Sequence, residues 1–266
     1  MKVALVTGAA RGLGLVTARL LGSLGLHLIL SDLQNLDAAL ARVREHDPKA
    51  QGCQGDLASE DFVRELAERV GRDHGALDVL VNNAGISLIA PAESTTAAQW
   101  QRVMGVNLFG PFLLCRYLGA QMLARGRGSI VNVASVAGLA GISHRCAYNA
   151  SKHGLIGLTR TLAAEWGGRG VRVNAVCPAW IRTEMDVADQ EQGAYSDRDI
   201  IDRVPMARFA NAEDVAQAIA FLADDAKSGF VNGASLTVDG GWTADGSWES
   251  LRTRTRLAPD SASEKS

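Results

Sequence analysis

Residues 3–14 read VALVTGAARGLG, an apolar run that leads into a glycine-rich loop. The run VALVT predicts a strand that is buried on both faces, because its side chains are almost continuously apolar. Gly8, Gly12 and Gly14 allow positive φ and let the backbone come close to a ligand. A helix that begins here points its positive N-terminal end at a pyrophosphate. An ordinary glycine turn is the alternative, but the strand before the loop and the helix after it favour dinucleotide binding.

The rest of the chain alternates short apolar runs with longer segments of helical period. Val63, Leu66, Ala67 and Val70 fall at i, i+3, i+4 and i+7, and Ser59 precedes them as a helix N-cap. Such alternation predicts a parallel sheet with helices on both faces. We therefore predict an α/β fold with a doubly wound (Rossmann) sheet of about seven strands. The other strand-like runs are 27–31, 50–55, 79–83, 129–134, 171–177 and 235–238.

The domain organisation follows from this pattern. We place a single dinucleotide-binding domain at residues 1–242 and a polar C-terminal tail at 243–266. The segment of about 180–205 is charged and interrupts the rhythm of strand and helix, so we predict that it covers a binding site.

Composition excludes several classes of function. Lys and Arg number 27 against 29 Asp and Glu, so no basic surface for nucleic acid is predicted. The first residues predict a strand rather than a cleavable leader, and we find no apolar run long enough to span a membrane. The four cysteines form no CxxC pair, so we predict no metal site, reduced thiols and a cytoplasmic location.

The second strand ends at Asp32, where a carboxylate can accept both ribose hydroxyls of an adenosine. The same charge would repel the 2′-phosphate of NADP, which carries nearly two negative charges. Arg11 in the glycine loop argues the other way, since a cation could meet that phosphate. We weigh Asp32 more heavily and predict NAD rather than NADP as cofactor; a turn residue without a ligand is the alternative for Asp32.

The sequence AYNASK at 147–152 carries a phenol and an ammonium four residues apart. On a helix this spacing puts Tyr148 and Lys152 on one face. A nearby ammonium favours the phenolate, and a base that works near neutrality needs its pKa lowered by about three units. Ser135 ends a central strand at the edge where open α/β sheets bind ligands. Together these groups indicate proton removal from an alcohol while hydride leaves to a nicotinamide cofactor.

These motifs together resemble the short-chain dehydrogenase/reductase family in its single-domain form, and the resemblance covers nearly the whole chain. It therefore implies that the domain at 1–242 is catalytic. The matching features are TGxxxGxG at 7–14, NNAG at 82–85, Asn107 in GVNLFG, Ser135, Tyr148 with Lys152, and VDGG at 238–241.

The resemblance implies a role for each matching catalytic residue. Tyr148 is the expected acid/base, and Lys152 lowers its pKa and binds the nicotinamide ribose. Ser135 orients the substrate, and Asn107 anchors a water in the proton relay, although Asn107 can also be read as the N-cap of a helix at 108–125. The expected cofactor contacts are Gly8, Arg11, Gly12, Leu13, Gly14, Asp32, Leu33, Asp56, Leu57, Asn83, Ala84, Gly85, Tyr148, Lys152, Pro178, Ile181 and Thr183.

The substrate pocket expected from the resemblance is mostly apolar. A histidine such as His144 is more often a solvated loop residue than a ligand. No arginine pair is obviously aimed at the pocket, although Arg145 is close in sequence, so a strongly anionic substrate is not required. The family has Pro-Gly where this chain has Pro178-Ala179, so a methyl group is expected either to narrow the pocket or to shift the loop slightly, without abolishing cofactor binding. The expected substrate contacts are Ser87, Ser135, Val136, Leu139, His144, Tyr148, Ala179, Trp180, Met185 and Tyr195.

The predicted function is hydride transfer between NAD and a secondary alcohol: a polyol, sugar, cyclic or steroid-like alcohol. The alternatives are an NADP-dependent ketone reductase, an epimerase or dehydratase of nucleotide sugars, and a non-catalytic nicotinamide sensor. The resemblance also implies a homotetramer in which helices 108–125 and 151–166 pair between subunits.

Overall fold

The computed structural model describes residues 1–182, 187, 190, 195–248 and 250–252. Seven parallel strands form one sheet in the order β3-β2-β1-β4-β5-β6-β7. This confirms the predicted doubly wound α/β fold, and strand order reverses between β1 and β4, where such sheets open a ligand crevice. The strands are β1 Val3–Thr7, β2 His27–Asp32, β3 Gln51–Gln54, β4 Val79–Asn82, β5 Gly128–Val133, β6 Val171–Pro178 and β7 Ser235–Val238.

Helices cover both faces of the sheet and pack on two cores. Side chains of a strand alternate between faces, so in β1 Ala4 and Val6 join one core while Val3 and Leu5 join the other. The first core lies under α1, α2 and α7, and the second under α3, α4 and α5. The helices are α1 Gly12–Ser23, α2 Asp37–Val43, α3 Glu60–His74, α4 Ala97–Arg125, α5 Cys146–Trp166, α6 Asp197–Arg203, α7 Ala212–Ala223 and α8 Asp225–Ser228.

Helix starts follow the local sequence. Ser59 caps α3 as predicted, since its hydroxyl accepts from the Phe62 N–H at 3.4 Å. Helix α5 begins at Cys146, so Tyr148 lies in its first turn and Lys152 follows one turn later.

Helix α4 is the element that differs most from its prediction. It begins at Ala97 rather than 108 and contains two π turns, Gly105–Phe109 and Cys115–Gly119. Helix α4 is also long and apolar enough to cross a membrane, so the prediction that no run has that length was wrong. The apolar window of α4 is 56% buried, and Leu113, Leu114 and Leu118 lie in the second core. It is therefore a core helix of this fold.

Buried polar side chains fix α5 against the sheet. The Asn82 amide on β4 donates to the Asn132 side-chain carbonyl on β5 at 2.8 Å. Asn132 in turn donates to the Thr159 hydroxyl on α5 at 2.9 Å. Buried amides and hydroxyls are costly to leave unpaired, so this chain of bonds specifies one position of α5 on the sheet.

The domain boundary at residue 242 and the covering role of the segment of about 180–205 stay predictions. Within the described part of that segment, α6 packs Ile200 and Val204 against Phe209 in a small apolar cluster. All four cysteines are free thiols.

Candidate active site

The glycine loop after β1 has the conformation that its sequence predicts. Gly8 and Gly12 have φ of +64° and +53°, a region that side chains disfavour. Gly14 must also be glycine, because a Cβ there would lie 2.1 Å from the Gly8 carbonyl oxygen. Gly14 therefore lets the first turn of α1 pack directly against the loop, and Gly8, Gly12 and Gly14 all line the cavity.

Two side chains join this loop to the loop after β4. The Thr7 hydroxyl accepts from the backbone N–H groups of Asn83 and Ala84, each at 3.0 Å. The Asn83 amide donates to the carbonyl oxygens of Thr7 and Gly8 at 2.8 and 3.1 Å. The motif NNAG thus holds the two walls of the crevice at a fixed separation.

Asp32 lies at the end of β2 with its carboxylate fixed by the backbone. One oxygen accepts from the Ala10 N–H and the other from the Gln34 N–H, both at 2.9 Å. Asp32 lines the same cavity as the glycine loop, and so does Arg11. Both groups on which the choice between NAD and NADP depends are therefore on the cavity wall.

Asp56 follows β3 and lines the cavity beside an arginine that the sequence analysis did not single out. Its carboxylate accepts from the Arg102 guanidinium at 2.6 Å and from the Ala58 N–H at 3.0 Å. Both side chains of this ion pair are partly exposed. Pairs of this kind add little stability, so we read Arg102 as positioning Asp56 at the rim of the cavity.

Lys152 is buried next to Tyr148. The residue is only 3% exposed. Its Nζ donates to the Val133 carbonyl oxygen at 2.8 Å and lies 5.6 Å from the Tyr148 ring centroid. Burial lowers the pKa of Lys152 from 10.5 to about 8, because the charged ammonium has lost water. The lysine still carries its charge at neutral pH, directly beside the phenol.

Asn107 projects from the first π turn of α4 into this region. Its amide accepts from the Ile86 N–H at 2.8 Å, donates to the Ile86 carbonyl at 3.0 Å and donates to Ser151 on α5 at 3.1 Å. The reading of Asn107 as the N-cap of a helix at 108–125 was therefore wrong, since α4 runs through this position. The π turn is a frequent device at functional sites and here points the amide between two elements.

Ser135 follows β5 on the same edge of the sheet as the glycine loop. Its hydroxyl oxygen accepts from the Ala137 N–H at 3.1 Å, which orients the side chain at the start of a 3₁₀ turn. Ser135, Tyr148 and Lys152 all line one cavity with a volume of about 370 Å³. The three side chains that motivated the functional prediction are thus brought together.

The cavity extends from the glycine loop to Tyr148 and includes most of the predicted site. Ala179, which replaces the glycine of the family's Pro-Gly, donates its N–H to the Val238 carbonyl oxygen at 3.2 Å. Strand β7 therefore fixes the backbone at this position. The predicted residues on the cavity wall are Gly8, Arg11, Gly12, Leu13, Gly14, Asp32, Leu33, Asp56, Leu57, Asn83, Ala84, Gly85, Ser135, Val136, Tyr148, Lys152, Pro178, Ala179, Trp180, Ile181 and Tyr195.

Several predicted residues lie elsewhere. His144 is exposed with φ of +61°, and its carbonyl oxygen accepts from the Ala90 N–H at 2.8 Å. Leu139 is outside the cavity lining, and Asn107 and Ser87 lie behind it, Ser87 in contact with Arg145. The structure thus does not place His144 among the described residues that line the cavity. Thr183 and Met185 lie outside the described residues.

Sequence reasoning missed several wall residues, of which Arg145 has the strongest chemistry. Its guanidinium donates to the Ser87 hydroxyl at 2.8 Å and lies 5.9 Å from the Tyr148 ring centroid. Its position immediately before α5, three residues from Tyr148, was the available signal. The other wall residues without a prediction are Gln34, Gly55, Ile86, Arg102, Val106, Val133, Ala134, Ala137 and Ile142.

The cavity is compatible with a dinucleotide. At one end a loop with positive φ at Gly8 and Gly12 leads into the start of a helix, which suits a pyrophosphate. Asp32 stands beside it where a ribose would lie, and Lys152 stands at the other end beside Tyr148. The donors and acceptors follow the sequence of groups along a nicotinamide dinucleotide.

Comparison with known proteins agrees with this geometry. The profile of a family described as Enoyl-(Acyl carrier protein) reductase matches residues 8–243. The D-threitol dehydrogenase of Mycolicibacterium smegmatis is 39% identical over 91% of this chain and 93% of its own. The cis-4-hydroxycyclohexanecarboxylate dehydrogenase of Sinomonas cyclohexanicum is 41% identical over 91% and 97%.

Solved structures give the same result. The crystal structure of a candidate NAD(P)-dependent gluconate 5-dehydrogenase from Beutenbergia cavernae, with NADP bound at low occupancy, superimposes with a TM-score of 0.84. It is 39% identical and the match covers 92% of this chain and 97% of that one.

Fold, cavity and relatives define a nucleotide-binding oxidoreductase of the Rossmann class. The chain belongs to the short-chain dehydrogenase/reductase family. It is an NAD(P)-dependent oxidoreductase that acts on CH–OH groups.

Proposed function

We propose that this enzyme is an NAD-dependent dehydrogenase of secondary alcohols of the polyol or cyclic type, with Tyr148 as acid/base. The observation that carries the proposal is the buried Lys152 ammonium 5.6 Å from the Tyr148 ring, in a cavity shared with Ser135 and the glycine loop. Relatives that oxidise D-threitol and a hydroxycyclohexane acid support this range of substrates.

In this proposal the chain's own groups handle the proton. The Ser135 hydroxyl donates to the substrate oxygen and holds it near Tyr148, whose phenolate accepts the carbinol proton. The Lys152 ammonium stabilises that phenolate, and the Val133 carbonyl fixes the ammonium. Asn107 holds the Ile86 backbone and Ser151, so it keeps the wall beside Lys152 in place. NAD, when bound, takes up the hydride from the carbinol carbon.

The choice of NAD rests on Asp32. Its carboxylate is fixed by two backbone N–H groups at the cavity wall and would repel a 2′-phosphate. The second candidate is an NADP-dependent ketone reductase, which Arg11 on the same wall and the NADP-containing relative from Beutenbergia cavernae favour. A comparison of kcat/KM for NAD and NADP with one alcohol separates the two.

We also propose a homotetramer located in the cytoplasm. Trp100, Phe109 and Phe112 on α4 are 39–43% exposed, and they form an apolar face with Leu108 and with Leu158 of α5. Burial of such a face between copies is favourable at about 25 cal/mol per Å². Light scattering should show an oligomer that Phe109→Glu reduces in size. A monomeric wild-type protein at micromolar concentration would contradict this proposal.

The central experiment is turnover of an alcohol panel by the wild type and by Tyr148→Phe. The panel contains threitol, cyclohexanol and 4-hydroxycyclohexanecarboxylate. The absorbance of the reduced nicotinamide measures turnover. We expect kcat to fall by about a hundredfold to ten-thousandfold in Tyr148→Phe, because the phenolic hydroxyl is removed while the ring is kept, and we expect cofactor affinity to stay within about twofold.

Activity of Tyr148→Phe within tenfold of wild type would remove Tyr148 from the mechanism. Cofactor binding by a wild type that oxidises no alcohol and reduces no ketone would instead favour a non-catalytic sensor.

A further inference from the structure

The motif VDGG at the end of β7 forms a tight turn that the proposed function does not use. Gly240 and Gly241 have φ of +59° and +90°, a region that side chains disfavour. The Asp239 carboxylate accepts from the backbone N–H groups of Gly241 and Thr243 at 2.9 and 2.8 Å and from the Thr243 hydroxyl at 2.5 Å. This turn therefore fixes the position of the next residue, Trp242.

The Trp242 indole packs against Trp180. The two ring centroids are 5.5 Å apart and the ring planes are tilted by 59°. Trp180 follows β6, whose residue Pro178 pairs with Val238 on β7, so neighbouring strands bring the two rings together. Trp180 lines the cavity, whereas Trp242 is not among the described residues of the wall. Trp242 therefore supports this part of the wall from behind.

Trp242 is also in contact with Arg203, the last residue of α6. The Arg203 Cζ lies 4.7 Å from the Trp242 ring centroid. The same guanidinium donates to the Asp245 carbonyl oxygen at 3.2 Å, and its Nη1 lies 3.9 Å from the Asp245 carboxylate. A cation near an indole ring attracts it, and the attraction is larger when the pair has lost water. The indole is thus held by a group outside the cavity.

Both tryptophans pack on the apolar cluster under α6. Ile200 and Phe209 are buried in this cluster, and Trp180 and Trp242 lie against it. The Trp180 carbonyl oxygen accepts from the Ala210 N–H at 3.0 Å, so its backbone is fixed while its ring rests on Trp242. Packed interiors leave little free space, and removal of a large ring opens a volume into which a neighbour can move. Without the Trp242 indole, the Trp180 ring could therefore move away from the cavity.

We propose that Trp242 is a positioning residue that limits the size of the substrate. It holds the Trp180 ring against the cavity, so that the enzyme favours small cyclic alcohols over larger rings. The inference rests on the proposed function. Because its described partner on the wall is Trp180, Trp242 acts on the choice between substrates and on their KM rather than on proton transfer to Tyr148.

The test compares cyclohexanol with cyclooctanol, a secondary alcohol with a larger ring. In Trp242→Leu the ratio of kcat/KM for cyclooctanol over cyclohexanol should rise about tenfold, the scale on which apolar pockets discriminate single methylene groups. The kcat for cyclohexanol should fall far less than it does in Tyr148→Phe. Trp242→Phe keeps an aromatic ring against Trp180 and should retain most of the wild-type ratio. Arg203→Met should raise the ratio about two- to threefold, because it removes the cation beside the indole.

Trp248→Leu is the matched control, since Trp248 is 78% exposed on the same C-terminal segment. It should leave the ratio unchanged. A second comparison introduces Trp242→Leu into Trp180→Leu protein. If Trp242 acts through Trp180, the ratio should then change by less than about twofold, as expected for two residues that work as one unit.

Three results would overturn the proposal. The first is an unchanged ratio in folded Trp242→Leu. The second is a change of equal size with and without Trp180, which would mean that Trp242 acts by another route. If Trp242→Leu does not fold, Arg203→Met decides, and an unchanged ratio in that variant is the third.

A binding measurement separates this inference from the proposed function. Calorimetry with cyclohexanecarboxamide and cyclooctanecarboxamide, in the presence of NAD, needs no turnover. A shift of relative affinity toward the larger ring in Trp242→Leu would support the role of Trp242 even if no alcohol were oxidised. The same relative affinity in variant and wild type would overturn it even if Tyr148 proved to be the acid/base.

Discussion

The two ends of the cavity are built in different ways. At the adenosine end, the loops after β1, β2 and β4 are fixed to one another by side chains that bond to backbone groups, as when Asp32 accepts from the N–H groups of Ala10 and Gln34. At the substrate end, side chains from separate loops meet, as when Arg145 reaches Ser87. A cofactor of constant shape can be recognised by backbone geometry that the fold imposes. A substrate that varies among relatives is recognised by side chains that the fold leaves free to change.

Gly14→Ala tests the backbone construction of the adenosine end and should have the largest effect. The added methyl group would lie 2.1 Å from the Gly8 carbonyl oxygen, so backbone must move on one side or the other. We expect a loss of about 3 kcal/mol in the free energy of unfolding and at least tenfold weaker cofactor binding. Urea unfolding and a fluorescence titration with NADH measure the two effects.

Gly168→Ala is the control, because a Cβ there meets nothing within 4 Å. Its unfolding free energy and cofactor affinity should stay near wild type. If Gly14→Ala behaved like this control, the adenosine end would be adaptable, and its difference from the substrate end would disappear.

Lys152→Met tests the substrate end, where a buried ammonium lies beside Tyr148. The lysine's folded pKa of about 8 lies below its ordinary 10.5, and this gap corresponds to about 3 kcal/mol of destabilisation below pH 8. The cost fades as pH rises from about 8 to 10.5, since the unfolded chain then binds the extra proton. The variant also loses the hydrogen bond to Val133, which offsets about 1 kcal/mol of the stability gained by removing the buried charge. We expect the inactive variant to be more stable than wild type by about 2 kcal/mol at pH 7.

Urea unfolding of both proteins at pH 7 and at pH 10 provides the measurement. The advantage of Lys152→Met should shrink at the higher pH. An advantage that is the same at both pH values would mean that the ammonium is not destabilised by burial.

Asp32→Ala should give the smallest effect of the three and tests selectivity at the adenosine end. Removing the carboxylate removes its repulsion of a 2′-phosphate, so the ratio of kcat/KM for NAD over NADP should fall about tenfold. Arg11→Ala should shift the ratio toward NAD. The preference among the alcohols of the panel should stay the same in both variants, and a change there would show that the two ends are coupled.

The same difference explains how much could be predicted from the sequence. All seven strands lie within a few residues of their predicted positions. Five of them, β1, β2, β4, β5 and β6, are buried almost throughout, and strands buried on both faces read as largely apolar runs. The glycine loop and the pair Tyr148 and Lys152 are local patterns, so their spacing alone placed them correctly. Arg145 was not recognised as a wall residue, since its partner Ser87 is 58 residues away. Asn107 was read as a possible helix start because its contacts with Ile86 and Ser151, 21 and 44 residues distant, are invisible locally.

The π turn at Gly105–Phe109 has a consequence for the geometry of α4 as a whole. A π turn accommodates one residue more than the α-helical turn it replaces, and each residue of an α-helix rotates the chain by about 100°. The side chains of α4 before and after the turn are therefore out of phase with a regular helix. Deleting a single residue within 105–109 would let the helix rewind. Asn107, or whichever residue took its place, would then face a different neighbour, while the length of α4 would hardly change.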